Sequence, residues 1–177
     1  MSAANNRAFV FVKPHANTEK GVAAVKEGLE KRGLAIISEG RITGPEIAEK
    51  MLIDNHYYAI ASKATLLKPA QLNVPVEKFQ EKFGLSWEQA LADGKVFNAK
   101  DACEEYFKFD SAELNRHWAL AKKAGNLIKF GGGFYCGVID TVEGKAPVYV
   151  FNGFFMSMRA NFVEADAAIS YFVVDWD

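Results

Sequence analysis

The chain has 177 residues, a length typical of one compact domain or of one domain with a sizeable insertion. Half of the residues are hydrophobic, and 21 basic residues nearly balance 22 acidic ones, which is the composition of a globular protein. The net charge of −1 argues against a nucleic-acid-binding module, because such modules depend on an excess of basic residues.

The N-terminal third predicts strands that alternate with helices. The apolar run Arg7 to Val12 predicts a buried strand, and Leu34 to Ile42 predicts a second one. Between them, apolar residues repeat at helical spacing from Thr18 to Gly33. A strand, a crossover helix and a second strand are the expected start of a ferredoxin-like sheet.

A second helix is predicted to follow directly. Thr43-Gly-Pro-Glu46 has the spacing of a capping box, with proline inside the first turn. The spacing then places Ile47, Met51 and Tyr58 on one face of this helix.

The middle of the chain, residues 64–126, predicts a helical insertion inside a single domain that spans residues 1–177. Three segments carry helix start and stop signals, namely Ser86 to Asp93, Asn98 to Phe107 and Ser111 to Ala124. We expect this insertion to pack on the sheet, since no linker-like composition separates it from its neighbours.

From Gly131 onward the sequence predicts strands at Phe134 to Ile139, Pro147 to Met156 and Ile169 to Trp176. The glycine run 131–133 follows a predicted helix and opens a strand, which favours a turn over a phosphate-binding loop. The predicted fold class is therefore α+β, with a ferredoxin-like mixed or antiparallel sheet covered by helices.

Other sequence features bear on location and chemistry. The start, Met1-Ser-Ala-Ala-Asn-Asn, has neither the basic nor the apolar region of a signal peptide, and no run is long enough to span a bilayer. The two cysteines form no Cys-x-x-Cys, and the three histidines show no metal-ligand spacing. We therefore expect a cytoplasmic protein with no membrane contact, no nucleic-acid partner and no metal site.

Two basic residues lie where an anionic ligand is expected to bind. Lys13 ends the first predicted strand, at the position where α/β ligands commonly bind, although a solvated lysine is the simpler interpretation. Arg159 follows a predicted strand of large apolar residues, where a guanidinium needs an anionic partner or solvent. His56 and Tyr57 end the second helix and offer rings for stacking.

Residues 7–63 resemble the N-terminal part of the nucleoside diphosphate kinases. Phe9-Val-Phe-Val-Lys13-Pro14 is similar to the opening strand and Val-Lys-Pro motif of that family. Pro45 to Tyr57 is similar to the family's helix that closes on a His-Tyr pair. Ser157-Met-Arg159-Ala-Asn-Phe162 is similar to the family's Thr-Ile-Arg-Gly-Asp-Phe stretch.

The resemblance implies a ferredoxin-like sheet in a family that transfers a γ-phosphate through a phosphohistidine. It implies that Lys13 and Arg159 contact phosphate and that Tyr57 lies near the phosphate-accepting position. The family's Asn-x-x-His-Gly-x-Asp motif is not found in this sequence. The two registers that can be drawn put Phe155 or Phe172 at the histidine position, and phenylalanine has no lone pair to attack phosphorus.

We therefore expect a nucleoside-diphosphate-kinase-like protein without phosphohistidine kinase activity. This pseudoenzyme would bind a nucleotide or another anionic small molecule through Lys13, His56, Tyr57 and Arg159. No cofactor is expected, apart from Mg²⁺ that accompanies a nucleotide.

Two alternatives stay open at the level of sequence. The first is a structural or interaction subunit, as a homo-oligomer or with a partner protein, because an aromatic edge strand near the C-terminus can pair with another chain. The second is an unrelated enzyme that uses Cys136, His56 or Tyr135.

Overall fold

A computed structural model of the chain describes residues 6–177. The first five residues, on which the expectation about a signal peptide largely rests, lie outside this range. The chain divides into two compact units, which we call the terminal unit (Met1–Ile53 with Ala160–Asp177) and the central unit (Asp54–Arg159). We describe each unit on its own, and the single domain over 1–177 stays a prediction.

Helices and strands are both well represented, and the α+β class predicted from the sequence is confirmed. The strands are β1 Asn6–Val12, β2 Ala35–Thr43, β3 Val96–Asn98, β4 Leu127–Gly131, β5 Phe134–Ile139, β6 Val148–Phe151 and β7 Ala168–Trp176. The α-helices are α1 Glu19–Glu30, α2 Gly44–Glu49, α3 Leu52–His56, α4 Tyr58–Ala61, α5 Val76–Phe83, α6 Trp87–Ala92, α7 Ala99–Asp101, α8 Ser111–Lys123 and α9 Phe154–Val163. Short 3-10 turns at Pro14–Ala16 and Pro69–Gln71 and π-helical turns at Ser62–Leu66 and Ala102–Phe107 complete the inventory. Within residues 6–177, no helix combines the length and the hydropathy needed to cross a bilayer.

The terminal unit contains a three-stranded antiparallel sheet with the strand order β1-β7-β2. β7 pairs antiparallel with both neighbours, so β1 and β2 run parallel to each other and α1 connects them. This is the split β-α-β arrangement on which ferredoxin-like sheets are built. The Thr18 hydroxyl accepts a hydrogen bond from the Gly21 N–H and so caps α1, whose apolar face packs on Val12, Phe172 and Val174 of the sheet.

The helix predicted from Thr43 is interrupted soon after it begins. α2 ends at Glu49, Met51 adopts a left-handed φ of 50°, and α3 begins at Leu52. Ile47 is buried, but Met51 and Tyr58 are exposed. The predicted common face of this helix is therefore wrong, because the break rotates the chain.

The central unit contains a four-stranded mixed sheet with the strand order β3-β6-β5-β4, in which only the β3–β6 pair is parallel. Successive residues of β5 and β6 point to opposite faces, and a separate apolar core covers each face. One core joins the sheet to α8, including Leu114 and Trp118. The other joins it to α5 and α6, including Phe79 and Trp87.

The segment 64–126 is mainly helical, as predicted, but it also contains the short strand β3. The sequence predicts that a helix precedes the glycines at 131–133, and this prediction is wrong. They connect β4 to β5 in a tight hairpin, in which Gly133 has a positive φ of 64°.

The strand predicted from Pro147 to Met156 is wrong in its second half. β6 ends at Phe151, Asn152 turns the chain with φ at 50°, and α9 begins at Phe154. Arg159 therefore lies on a helix and does not follow a strand. The C-terminal strand β7 is the central strand of its sheet, so it does not provide the free aromatic edge that was expected.

Candidate functional site

A buried ion pair between Asp54 and Arg159 is the centre of the candidate site. Asp54 lies on α3 and is only 4% exposed, while Arg159 lies on α9. The Arg159 Nε donates to Asp54 Oδ1 at 2.8 Å and to Oδ2 at 3.0 Å. Burying a carboxylate is costly unless it is paired and hydrogen-bonded, and the guanidinium supplies that partner.

The pair leaves part of the guanidinium available. Only Nε contacts the carboxylate, and the two terminal nitrogens of Arg159 donate to no residue in the range 6–177. The side chain is 27% exposed. Because those terminal nitrogens form a planar pair of donors, they match the geometry of a phosphate or carboxylate.

Two rings lie next to Asp54 along the chain. His56 is exposed, and its ring meets the ring of Tyr57 edge-on, with centroids 4.7 Å apart and an interplanar angle of 87°. Tyr57 is half-buried and packs against the core beneath α8. Tyr57 follows Asp54 by three residues, but α3 ends at His56 and Tyr57 lies in the turn that precedes α4.

Lys13 belongs to the terminal unit, whereas the other three predicted residues belong to the central unit. It is exposed at the end of β1, in extended backbone that leads into the turn at Pro14. Its carbonyl accepts a hydrogen bond from the Ala16 N–H at 2.9 Å, which fixes the backbone while its ammonium stays in solvent. The other three predicted residues lie on or next to the two helices that carry the ion pair, with His56 at the end of α3, Tyr57 directly after it and Arg159 on α9.

The two phenylalanines that the resemblance puts in place of a histidine are core residues. Phe155 is completely buried in the core beside α8, and Phe172 is buried in the core of the terminal unit. Both rings contribute to the packing of their own units, so neither position presents a nucleophile to a ligand.

The thiols do not support an enzyme that uses a cysteine nucleophile. Cys136 is completely buried on one face of β5, and burial raises its pKa well above the ordinary range. Burial also raises the pKa of Cys103 to about 11. Both groups remain protonated at neutral pH, and a thiol is a far weaker nucleophile than a thiolate. Tyr135 points to the opposite face of β5 from Cys136, so the two side chains form no common site.

His117 has a structural environment. Its Nε2 lies 3.0 Å from the Arg116 Nη2 and 3.4 Å from Glu113 Oε1. Its Nδ1 lies 2.6 Å from the Thr141 hydroxyl oxygen. Within residues 6–177, no group of three histidine, cysteine or acidic side chains is arranged to bind a metal ion.

Sequence reasoning missed Asp54, the residue that orients Arg159. The two are 105 positions apart, so no local pattern connects them. One signal was present, since Asp54 is the only acidic residue between Glu49 and Glu77. An isolated carboxylate in an apolar helical stretch indicates a buried ion pair or a functional role.

Comparisons with protein-family models, with curated proteins and with solved structures found no match to this chain.

Proposed function

We propose that the chain binds a nucleotide or a related anionic small molecule, with the Arg159 guanidinium as the phosphate contact. The proposal rests on the Arg159 guanidinium. The buried Asp54 carboxylate holds its Nε, and its two terminal nitrogens remain free to donate to a ligand. The resemblance of residues 7–63 to nucleoside diphosphate kinases supplies the ligand class.

The arrangement at Arg159 favours anion binding for two physical reasons. The contact with Asp54 holds the guanidinium through Nε, so less side-chain conformational freedom has to be lost when a ligand binds. The terminal nitrogens can then donate two parallel hydrogen bonds to one phosphate, which is stronger than a contact with a point charge.

The neighbouring rings supply the second half of the proposed site. His56 and Tyr57 present an imidazole and a phenol near the carboxylate that holds Arg159, and such rings stack on flat bases. The proposed site is confined to the central unit, and the expectation that Lys13 contacts phosphate stays a prediction from the resemblance.

The proposal does not include phosphoryl transfer through a phosphohistidine. In either register of the resemblance the accepting position is a buried phenylalanine, Phe155 or Phe172. A benzene ring offers no electron pair to phosphorus, so binding is the function proposed for the site.

Calorimetric titration tests the proposal directly. ATP, ADP and GDP are titrated with and without Mg²⁺, and pyrophosphate serves as the anion without a base. We expect saturable binding that Arg159→Lys weakens about tenfold, because lysine keeps the charge beside Asp54 but has no second pair of donors.

The matched control is Arg116→Lys, which alters an exposed arginine that pairs with Glu113 through Nε and Nη2 and should leave affinity unchanged. Nucleotide binding tighter than pyrophosphate binding supports the role of the rings. The absence of heat with every ligand at millimolar concentration contradicts the proposal.

A second candidate function, self-association, is favoured by one observation in the terminal unit. Phe9 is 53% exposed on the edge strand β1, where its ring stacks on that of Tyr171 at 5.2 Å. An exposed aromatic on an edge strand favours pairing with a second copy of the chain. Sedimentation should then show a dimer that Phe9→Asp dissociates, while Val76→Asp, at an exposed position of the central unit, has no effect. A monomer at all concentrations contradicts this candidate.

A further inference from the structure

A groove of about 420 Å³ lies beside α8 on the central unit. Helix α8 contributes Asn115, Trp118, Ala119 and Lys122, whose spacing places them on one helix face. The rest of the lining comes from Leu127, Tyr135 and Phe154. The volume is within the range of about 300–1,000 Å³ that is typical of small-molecule sites.

Three aromatic rings form the walls of the groove. The Phe154 ring meets Tyr135 edge-on at 5.6 Å and lies 6.1 Å from Trp118. Two glycines let the Trp118 indole rest directly on the backbone. An added Cβ would lie 2.4 Å from Trp118 Cε3 at Gly153 and 3.0 Å from Cζ3 at Gly137. The wall is therefore fixed before any ligand arrives, which lowers the entropic cost of binding.

The charged groups at the groove are all positive. Lys122 belongs to the lining, and the Lys129 ammonium lies 5.5 Å from the centroid of the Tyr135 ring. Neither lysine forms an ion pair with another residue in the range 6–177, and no acidic side chain is part of the lining. An organic cation would be attracted by the rings but repelled by both lysines, so the charge favours an anion.

The Trp118 indole also carries an unpaired donor. Trp118 is 5% exposed, and its Nε1 donates to no residue in the range 6–177. No fully buried side-chain nitrogen or oxygen of those residues lacks a partner, so Nε1 reaches the surface. The six-membered ring faces the two glycines, and Nε1 lies on the opposite edge of the indole.

From these observations we propose that the groove binds a small planar aromatic anion. Its ring packs among Trp118, Tyr135 and Phe154, and its anionic group pairs with the Lys122 ammonium. This inference does not depend on the proposed function, since neither Asp54 nor Arg159 lines the groove.

The test uses naphthalene-1-sulfonate as the probe and naphthalene-1-sulfonamide as its neutral counterpart of matched shape. The indole N–H signal of Trp118, identified by its loss in Trp118→Phe, is followed by NMR during each titration. We expect this signal to shift and saturate with the sulfonate, and the sulfonamide to bind about tenfold more weakly.

Neighbouring lysines give a matched pair of variants. Lys122→Glu should weaken sulfonate binding about tenfold, while Lys123→Glu, an equally exposed change outside the lining, should change it less than about twofold. Ala119→Trp should fill the groove and abolish binding. Equal affinity for the two naphthalenes, equal effects of the two lysine variants, or an indole signal that does not move at millimolar probe overturns the proposal.

Discussion

Asn152→Ala is expected to destabilise the central unit by about 3 kcal/mol, because it removes three hydrogen bonds that a completely buried side chain makes to partly buried backbone groups. Asn152 is completely buried. Its Oδ1 accepts from the Tyr135 N–H at 2.9 Å, and its Nδ2 donates to the Gly133 carbonyl at 2.9 Å and to the Ile60 carbonyl at 3.0 Å. One amide thus joins the β4–β5 hairpin, β5 and α4.

A glycine variant separates the hydrogen bonds from the backbone strain. Asn152 has a φ of 50°, which asparagine tolerates better than alanine does. Asn152→Gly loses the same three hydrogen bonds but removes the strain, so it should be less destabilising than Asn152→Ala by about 1 kcal/mol. Urea denaturation of both variants gives this difference. Two results would contradict the assignment. One is a decrease in the free energy of unfolding of less than about 1 kcal/mol for Asn152→Ala, and the other is an Asn152→Gly variant that is less stable than Asn152→Ala.

Arg159→Gln is expected to reduce the free energy of unfolding by about 3 kcal/mol, since it leaves the Asp54 carboxylate buried without a counter-charge. Asp54→Asn combined with Arg159→Gln should recover much of that loss, because an amide pair needs no compensating charge. The double-mutant cycle, measured by urea denaturation, therefore yields a large coupling energy between positions 54 and 159.

An exposed arginine provides the control for this cycle. Arg7 donates through Nε and Nη2 to Asp175 at 2.7 and 2.8 Å, but its side chain is 64% exposed. Arg7→Gln should therefore have little measurable effect on unfolding, because solvent screens that pair. Two results would contradict this account: equal losses of unfolding free energy for Arg7→Gln and Arg159→Gln, or additive effects of the Asp54 and Arg159 variants. Either result would show that burial does not determine the cost of removing one partner of an ion pair.

Local patterns predicted the elements that have a clear period. β1, α1 and β2 appear close to their predicted limits, and α8 runs from Ser111 to Lys123 with the Asp110 carboxylate as its cap. These segments combine regular apolar spacing with explicit start and stop residues. The α+β class followed from them.

The largest error in the sequence-based prediction concerns α9, because its aromatic and methionine residues predict a strand. Aromatic residues favour strands, but tertiary contacts decide between the two states when the apolar run has no clear period. Here the left-handed turn at Asn152 ends β6, and the helix then buries Phe155 and Phe162, one on each side of the Arg159 position along the chain. The division of strands between two sheets also depends on long-range pairing that no local signal encodes.

The sequence predicted only part of the candidate site, because some of its features depend on contacts between residues far apart along the chain. Arg159 was identified because its residue type demands an anionic partner in apolar surroundings, and His56 and Tyr57 because they end a helix. Asp54 was missed because its role depends on a partner 105 positions away. The groove beside α8 was missed because four separate segments of the central unit assemble it, namely α8, β4, β5 and the start of α9.

A crystal structure of the chain grown with ADP and Mg²⁺ tests the central claim most directly, because it shows ligand and residues together. The account predicts a phosphate within hydrogen-bonding distance of the terminal nitrogens of Arg159, with Nε still bonded to Asp54. A nucleotide bound elsewhere, or a phosphate that leaves Arg159 untouched at saturating ADP, would contradict it.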